Sequence, residues 1–189
     1  MEVMVRLDRE DEKIQQRIQS PEYLRLIKKC FRDWSAAESE VKRRLIRDLL
    51  CNAAGGEKVC PDDVLSIFIE WIDRYNEGHF KIIRLVYQKP GITRYEMWQQ
   101  IHGQEVREDS AEADLFKLLV DELSLGRVIR QHREKDYSGR YLKSTQRKKT
   151  GPYMASAFDD EKEYELTELG RWFVHYTMNE MVPKIAMTV

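Results

Sequence analysis

The chain has 189 residues, 34% charged and 42% hydrophobic, with a formal net charge of −1. That is the balance of a soluble, helix-rich globular protein of one or two domains, and it excludes whole-molecule attraction to nucleic acid or anionic lipid, so any such attraction must be local. The start, MEVMVRLDREDEK, is too charged for a secretory signal, and no apolar run approaches the ~20 residues of a membrane span.

Val3, Val5 and Leu7 alternate with polar residues, the pattern of a short strand; DREDEKIQQRIQ then turns helical, with Ile14 and Ile18 as a weak stripe. Ser20-Pro21 opens a helix, because serine caps and proline fits the first turn, where its missing N–H costs nothing. Tyr23, Leu24, Ile27, Phe31 and Trp34 form its predicted apolar face, to about Asp33. Ser35 and Glu38 have capping-box spacing and open the next helix, to about Ala54, with Val41, Leu45, Leu49 and Ala53 as its inner stripe. Its other face carries Lys42, Arg43, Arg44 and Arg47. That face reads as solvated, with pairs such as Glu40–Arg44, or as a surface for phosphates or an acidic partner. Gly55-Gly56 breaks the chain, and Pro61 or Asp62 starts VLSIFIEWIDRY, a helix apolar nearly all round. Such a helix is buried or shared with a partner chain.

Asn76-Glu77-Gly78 breaks again, and His79–Gln88 predicts a helix with Phe80, Ile83, Leu85, Val86 and Tyr87 as its apolar positions, stopped by Lys89-Pro90-Gly91. His79 near its start reads as a structural histidine. Gly91–Leu125 then reads as two helices and a turn. Thr93 and Glu96 have capping-box spacing ahead of a helix from Arg94 to about Ile101, which Gly103 can end. Asp109 and Glu112 repeat the spacing before a helix carrying Leu115, Phe116, Leu119, Val120 and Leu123, which stops at Gly126. Arg127–Arg133 alternates and predicts a strand, Glu161–Leu166 predicts its return, and the stretch between is a long polar tip. Thr167 caps a last helix, from Glu168 to about Met181, ended by Pro183. The expected fold is mainly α: a helical N-terminal region over 1–75, a winged helix-turn-helix with a two-stranded β-wing over 76–182, and a tail over 183–189.

Residues 79–178 resemble winged helix-turn-helix regulators of the broad MarR/PadR-like type. The resemblance is carried by FKIIRLVYQ, by TRYEMW, by ADLFKLLVDELSLGRVIR running into a strand, and by YELTELGRWFVHY. The family's Tyr-x-Leu-Thr-x-x-Gly pattern is matched at Tyr164, Leu166, Thr167 and Gly170. No family is recognised over residues 1–75. The resemblance implies that the third helix enters the major groove of DNA and presents basic or amide side chains to base edges.

The charges here depart from that pattern. Glu105–Glu122 holds seven acids against Arg107 and Lys117, a local net of −5, so Lys117 alone looks like a base or phosphate contact. Arg127 to Lys149 holds nine bases against two acids, a local net of +7. Arg130, Arg133, Lys135, Arg140, Lys143, Arg147, Lys148 and Lys149, with Tyr137 and Tyr141 interleaved, suit phosphate contact, minor-groove entry or stacking on unpaired bases. The same run also suits a solvated loop, or a head-to-tail contact with the acidic third helix of another subunit.

Cys30, Cys51 and Cys60 are odd in number and lack Cys-x-x-Cys spacing, which reads as reduced thiols in a cytoplasmic protein; with His79 they match no common zinc pattern. The four histidines are scattered, and no catalytic motif is present, so neither an enzyme nor a cofactor or metal site is expected. The expectation is a homodimeric nucleic-acid-binding protein, a transcriptional regulator holding double-stranded DNA through its wing. The alternative is a protein-interaction module that uses the same scaffold without DNA.

Overall fold

A computed structural model describes residues 12–37, 39–55, 58–133, 136–142 and 156–179. The expected strand around Val5 and the tail over 183–189 lie outside them. Among the described residues the chain is mainly helical, with eight helices and one three-stranded antiparallel sheet. No helix there is long and apolar enough to cross a membrane. The chain divides into two compact units, Met1–Glu77 with Arg171–Val189, and Gly78–Gly170.

Unit 1 holds α1 (Glu12–Gln19), α2 (Pro21–Ala36), α3 (Glu40–Gly55), α4 (Asp62–Arg74) and most of α8 (Glu168–Thr177). Ser20 caps α2, its Oγ accepting from Tyr23 N at 3.3 Å, with Pro21 in the first turn. The buried face of α2 is Tyr23, Leu26 and Cys30. This is rotated from the predicted stripe, so Leu24 and Phe31 face solvent. The rotation follows from Cys30, a small apolar residue when reduced, which goes inside in place of a larger neighbour. Helix α2 also overruns the predicted Ser35–Glu38 cap. Ser35 Oγ donates back to Arg32 O at 2.7 Å, and Ser39 takes over the cap of α3, accepting from Lys42 N at 3.3 Å. The basic face of α3 is largely committed inside its own unit: Lys42 donates to Asp73 O at 2.6 Å and Arg43 to Ala37 O at 3.0 Å.

Helix α4 lies at the centre of unit 1, with Leu65, Phe68, Ile69, Trp71 and Ile72 buried. Phe173 meets both Phe68 and Trp71 with ring centroids 5.6 Å apart, and Tyr176 meets Phe68 at 6.3 Å. Buried aromatic pairs of this kind each add about 0.5–1.5 kcal/mol beyond area burial. They assign the chain from Arg171 onward to unit 1, where sequence grouping by proximity had placed it with residues 76–182. At the other end, Arg17 grips the Asp62 carboxylate with two nitrogens, at 3.0 and 2.6 Å, and donates to Ala53 O at 3.0 Å.

Unit 2 runs α5 (Glu77–Gln88), β1 (Ile92–Thr93), α6 (Arg94–Ile101), α7 (Ala111–Leu125), β2 (Ile129–Gln131) and β3 (Glu163–Leu166). The two predicted strands pair, Ile129 opposite Leu166 and Gln131 opposite Tyr164. Strand β1, with two residues too short for a period-2 signal, adds to the far edge of β3, giving the order β1-β3-β2. The capping box of α6 closes in both directions, Glu96 N to Thr93 Oγ1 at 3.2 Å and Thr93 N to Glu96 Oε2 at 3.0 Å. Helix α7 is capped by Ser110, accepting from Ala113 N at 3.2 Å, one residue later than predicted. Asp109 is held instead by Arg107 through two 2.7 Å bonds.

Helix α7 ends in a Schellman pattern, Val128 N to Leu123 O at 2.9 Å and Arg127 N to Ser124 O at 3.2 Å. The left-handed residue is Arg127 (φ 60°) rather than Gly126 (φ −69°). The Tyr-x-Leu-Thr-x-x-Gly stretch then closes on the strand edge within unit 2. Tyr164 Oη accepts from Arg94 Nε at 2.8 Å. Thr167 N donates to Val128 O at 3.0 Å, and its hydroxyl donates to Arg127 O at 2.6 Å while accepting from Gly170 N at 3.0 Å. Gly170 sits where a Cβ would come within 2.2 Å of Val128 O.

Candidate nucleic-acid interface

The β2–β3 hairpin carries the residues that the charge pattern singled out. Arg130 stands opposite Glu165 in the ladder, and its Nε donates to Glu165 Oε1 at 2.7 Å. His132 Nδ1 lies 3.1 Å from the other oxygen. Burial alone would raise the Glu165 pKa, but the bonds from His132 and Arg130 outweigh it and hold the carboxyl below its ordinary range. The Arg130 guanidinium also lies over the Tyr141 ring, 5.8 Å from its centroid. Arg130 and Tyr141 are thus engaged with their own chain.

Beyond them, Asp136 builds a compact turn. Its Oδ1 accepts from Ser138 N and Arg140 N, both at 2.9 Å, and from Ser138 Oγ at 2.7 Å. Asp136 N and Arg140 O close the turn at 2.9 Å, and Gly139 takes φ 79°. These donors favour the charged carboxylate, and the Ser138 hydroxyl is the largest of the influences that lower the Asp136 pKa. The turn leaves Tyr137 fully exposed. Arg133 and Arg140 are exposed, and their side chains form no ion pair among the described residues. Lys135, Lys143, Arg147, Lys148 and Lys149 lie outside the described residues.

The chain returns through 156–162, and the return strand starts at Glu163, two residues later than the predicted Glu161. Glu108 accepts from Ala157 N at 3.0 Å and from the Ser156 hydroxyl. Phe158 packs against Trp98 at 4.9 Å and stacks on Phe116 at 6.0 Å. The return arm of the hairpin is therefore fastened to α6, α7 and the turn between them.

The acidic balance of α7 and the turn before it is partly compensated within unit 2. Asp121 pairs with Arg94 at 2.6 Å, and Glu122 lies 2.8 Å from His79 Nε2, with His79 itself buried. Glu112 and Asp114 remain exposed without a cationic partner among the described residues, and Lys117 is exposed beside them. Leu115, predicted inward, is 53% exposed, and Leu118 and Leu125 are 52% and 84% exposed. The adjacent pairs Leu115-Phe116 and Leu118-Leu119 hid this, because apolar residues side by side give periodicity no face to choose.

All three cysteines are free and buried, and burial pushes the Cys30 thiol up to about 12. Among the described residues no cluster of three or more His, Cys, Asp or Glu could hold a metal ion. A cleft of about 250 Å³ in unit 1 is lined by Arg17, Asn52, Lys58, Asp62 and Tyr176, but its Arg17–Asp62 pair is already satisfied. No protein-family model, curated protein or solved structure matches the chain.

Proposed function

We propose that unit 2 is a winged helix-turn-helix that binds nucleic acid through the β2–β3 hairpin, and that the protein acts as a cytoplasmic homodimeric regulator on double-stranded DNA. The order helix, strand, helix, helix, strand, strand supports the winged-helix reading. The observation that carries the function is the hairpin. It holds a local net charge of +7 over Arg127–Lys149, and its described residues Arg133, Tyr137 and Arg140 are exposed. A polyanion attracts such a tip by counterion release, with sequence-independent phosphate contacts supplying most of the affinity. Helix α7, with Glu112 and Asp114 facing outward, is poorly suited to a phosphate-lined groove, so contact is assigned to the wing alone. Three free, buried thiols support a reducing compartment.

The test is binding of duplex DNA across a salt series. Each phosphate contact contributes about 0.9 to the slope of log K against log salt. Changing Arg147, Lys148 and Lys149 together to Ala should weaken binding on all sequences and flatten that slope. No binding at low salt, or an unchanged slope, overturns the proposal. The exposed leucines of α7 favour a second reading, a protein-interaction module. A stable protein complex with no duplex binding would select it.

A further inference from the structure

We infer that Tyr137 stacks on an unpaired base, so that the nucleic acid this hairpin selects is duplex DNA with one base outside the helical stack. The inference rests on the reading that the hairpin contacts nucleic acid, and adds the kind of DNA it prefers.

Tyr137 is fully exposed, so both faces of its ring are open to a ligand. The backbone that carries it is fixed from both sides. Asp136 Oδ1 accepts from Ser138 N and Arg140 N at 2.9 Å, and from Ser138 Oγ at 2.7 Å. Gly139 N donates to Asp136 O at 3.0 Å, and Asp136 N donates to Arg140 O at 2.9 Å. A Cβ on Gly139 would meet no atom within 4 Å, so the turn projects into open solvent. With the turn set in advance, a ligand need order only the two side-chain torsions of a tyrosine. Tyr141 differs: it is 46% exposed, and the Arg130 guanidinium already lies over its ring.

Arg133, Lys135, Arg140 and Lys143 lie within six positions of Tyr137 in the sequence. A flat ring among cations matches a ligand that has both flat faces and phosphates, which is a nucleotide chain. Magnitudes then decide which kind. Stacking one base on an aromatic side chain strengthens binding by about tenfold. Reaching a base inside an intact duplex first requires unpairing and unstacking it, which costs at least as much and cancels the gain. A base already outside the stack carries no such cost. Proteins built for single strands offer a series of aromatic rings to successive bases. This turn offers one fully exposed ring, which suits one displaced base within a duplex whose phosphates meet the cations.

The test is a titration of the full chain against two fluorescein-labelled duplexes of one sequence, one fully paired and one with a single extra, unpaired adenine. Wild type should hold the bulged duplex about tenfold more tightly. That ratio should stay constant across a salt series, because both duplexes release nearly the same counterions and stacking is not a charge contact. Tyr137→Ala should remove the preference while leaving affinity for the paired duplex within about twofold, since phosphate contacts are untouched. Tyr137→Phe keeps the ring and should keep the preference, and Tyr141→Ala should keep it too. Aminopurine in place of the unpaired adenine should lose fluorescence on binding wild type and not on binding Tyr137→Ala. Tyr137 is exposed, and unchanged melting curves would show that its variants fold. Equal affinity of wild type for the two duplexes overturns this inference and leaves the hairpin contact standing. So does a preference that survives Tyr137→Ala, which would mean that the bend of the bulged duplex is read instead. Binding of neither duplex at low salt overturns the hairpin contact itself, and this inference with it.

Discussion

Replacing Gly170 by Ala tests the junction between β2 and α8. By helix propensity alone the change should stabilise, since Ala exceeds Gly by about 0.8–1.0 kcal/mol within a helix. The surroundings reverse that sign. The new Cβ would lie 2.2 Å from Val128 O, 3.1 Å from Val128 C and 3.4 Å from Leu166 Cδ2. The nearest obstacle is backbone, so relief requires the helix and strand to part by about 1 Å, and overpacking of this kind costs about 1–3 kcal/mol. Parting them stretches the 3.0 Å bond from Thr167 N to Val128 O and the 2.6 Å bond from the Thr167 hydroxyl to Arg127 O. Each lost bond between buried groups removes about 1 kcal/mol. The expected net loss is about 2–4 kcal/mol, read as a lower urea midpoint at unchanged slope. A variant within about 1 kcal/mol of wild type, or more stable, would refute the close-approach argument.

Glu165 supplies a pH signature. Its pKa in the folded protein is held below the ordinary value by His132 and Arg130 against the opposing effect of burial. The stability it contributes is therefore present above about pH 4.3, the unfolded value, and is lost as pH falls through the folded value. Wild type should lose melting temperature more steeply than Glu165→Gln between about pH 5 and pH 3; parallel curves would refute this. The thiols supply a second check. Burial raises the pKa of Cys30, to about 12, and that of Cys60, and all three cysteines are buried. None should react with an aromatic disulfide reagent at mild alkaline pH until denaturant is added, when all three should. Rapid modification of Cys30 in the native protein would contradict its placement.

The residues that proved legible in the sequence are those whose signals are local. Thr93 and Glu96 close their capping box because the bonds span only three residues. Ser20-Pro21 starts α2 for the same reason. The signals that failed depend on competition between neighbours. Ser35 and Asp109 each had the right spacing, but Ser39 and Ser110 were alternative caps within four residues and won. The face of α2 was misjudged because hydrophobicity ranks Leu24 and Phe31 above Cys30, whereas packing against α3 and α4 selects the stripe that fits. Strand β1 and the anchoring of Phe158 on Trp98 are products of tertiary contact and leave no periodic trace. At the hairpin, composition showed the excess of positive charge. It could not show that Arg130 spends part of its charge on Glu165, 35 residues away.

The core of unit 1 is built from two stretches of chain that lie on either side of unit 2 in the sequence. A ribosome delivers α4 long before Phe173 and Tyr176 emerge, so during synthesis Phe68 and Trp71 wait without the rings that cover them. All of residues 78–170 has been translated by then. A message cut short in the codons just past Gly170 would release a chain with every helix of unit 1 except its lid, displaying aromatic surface of the kind that chaperones and proteases recognise in unfinished proteins.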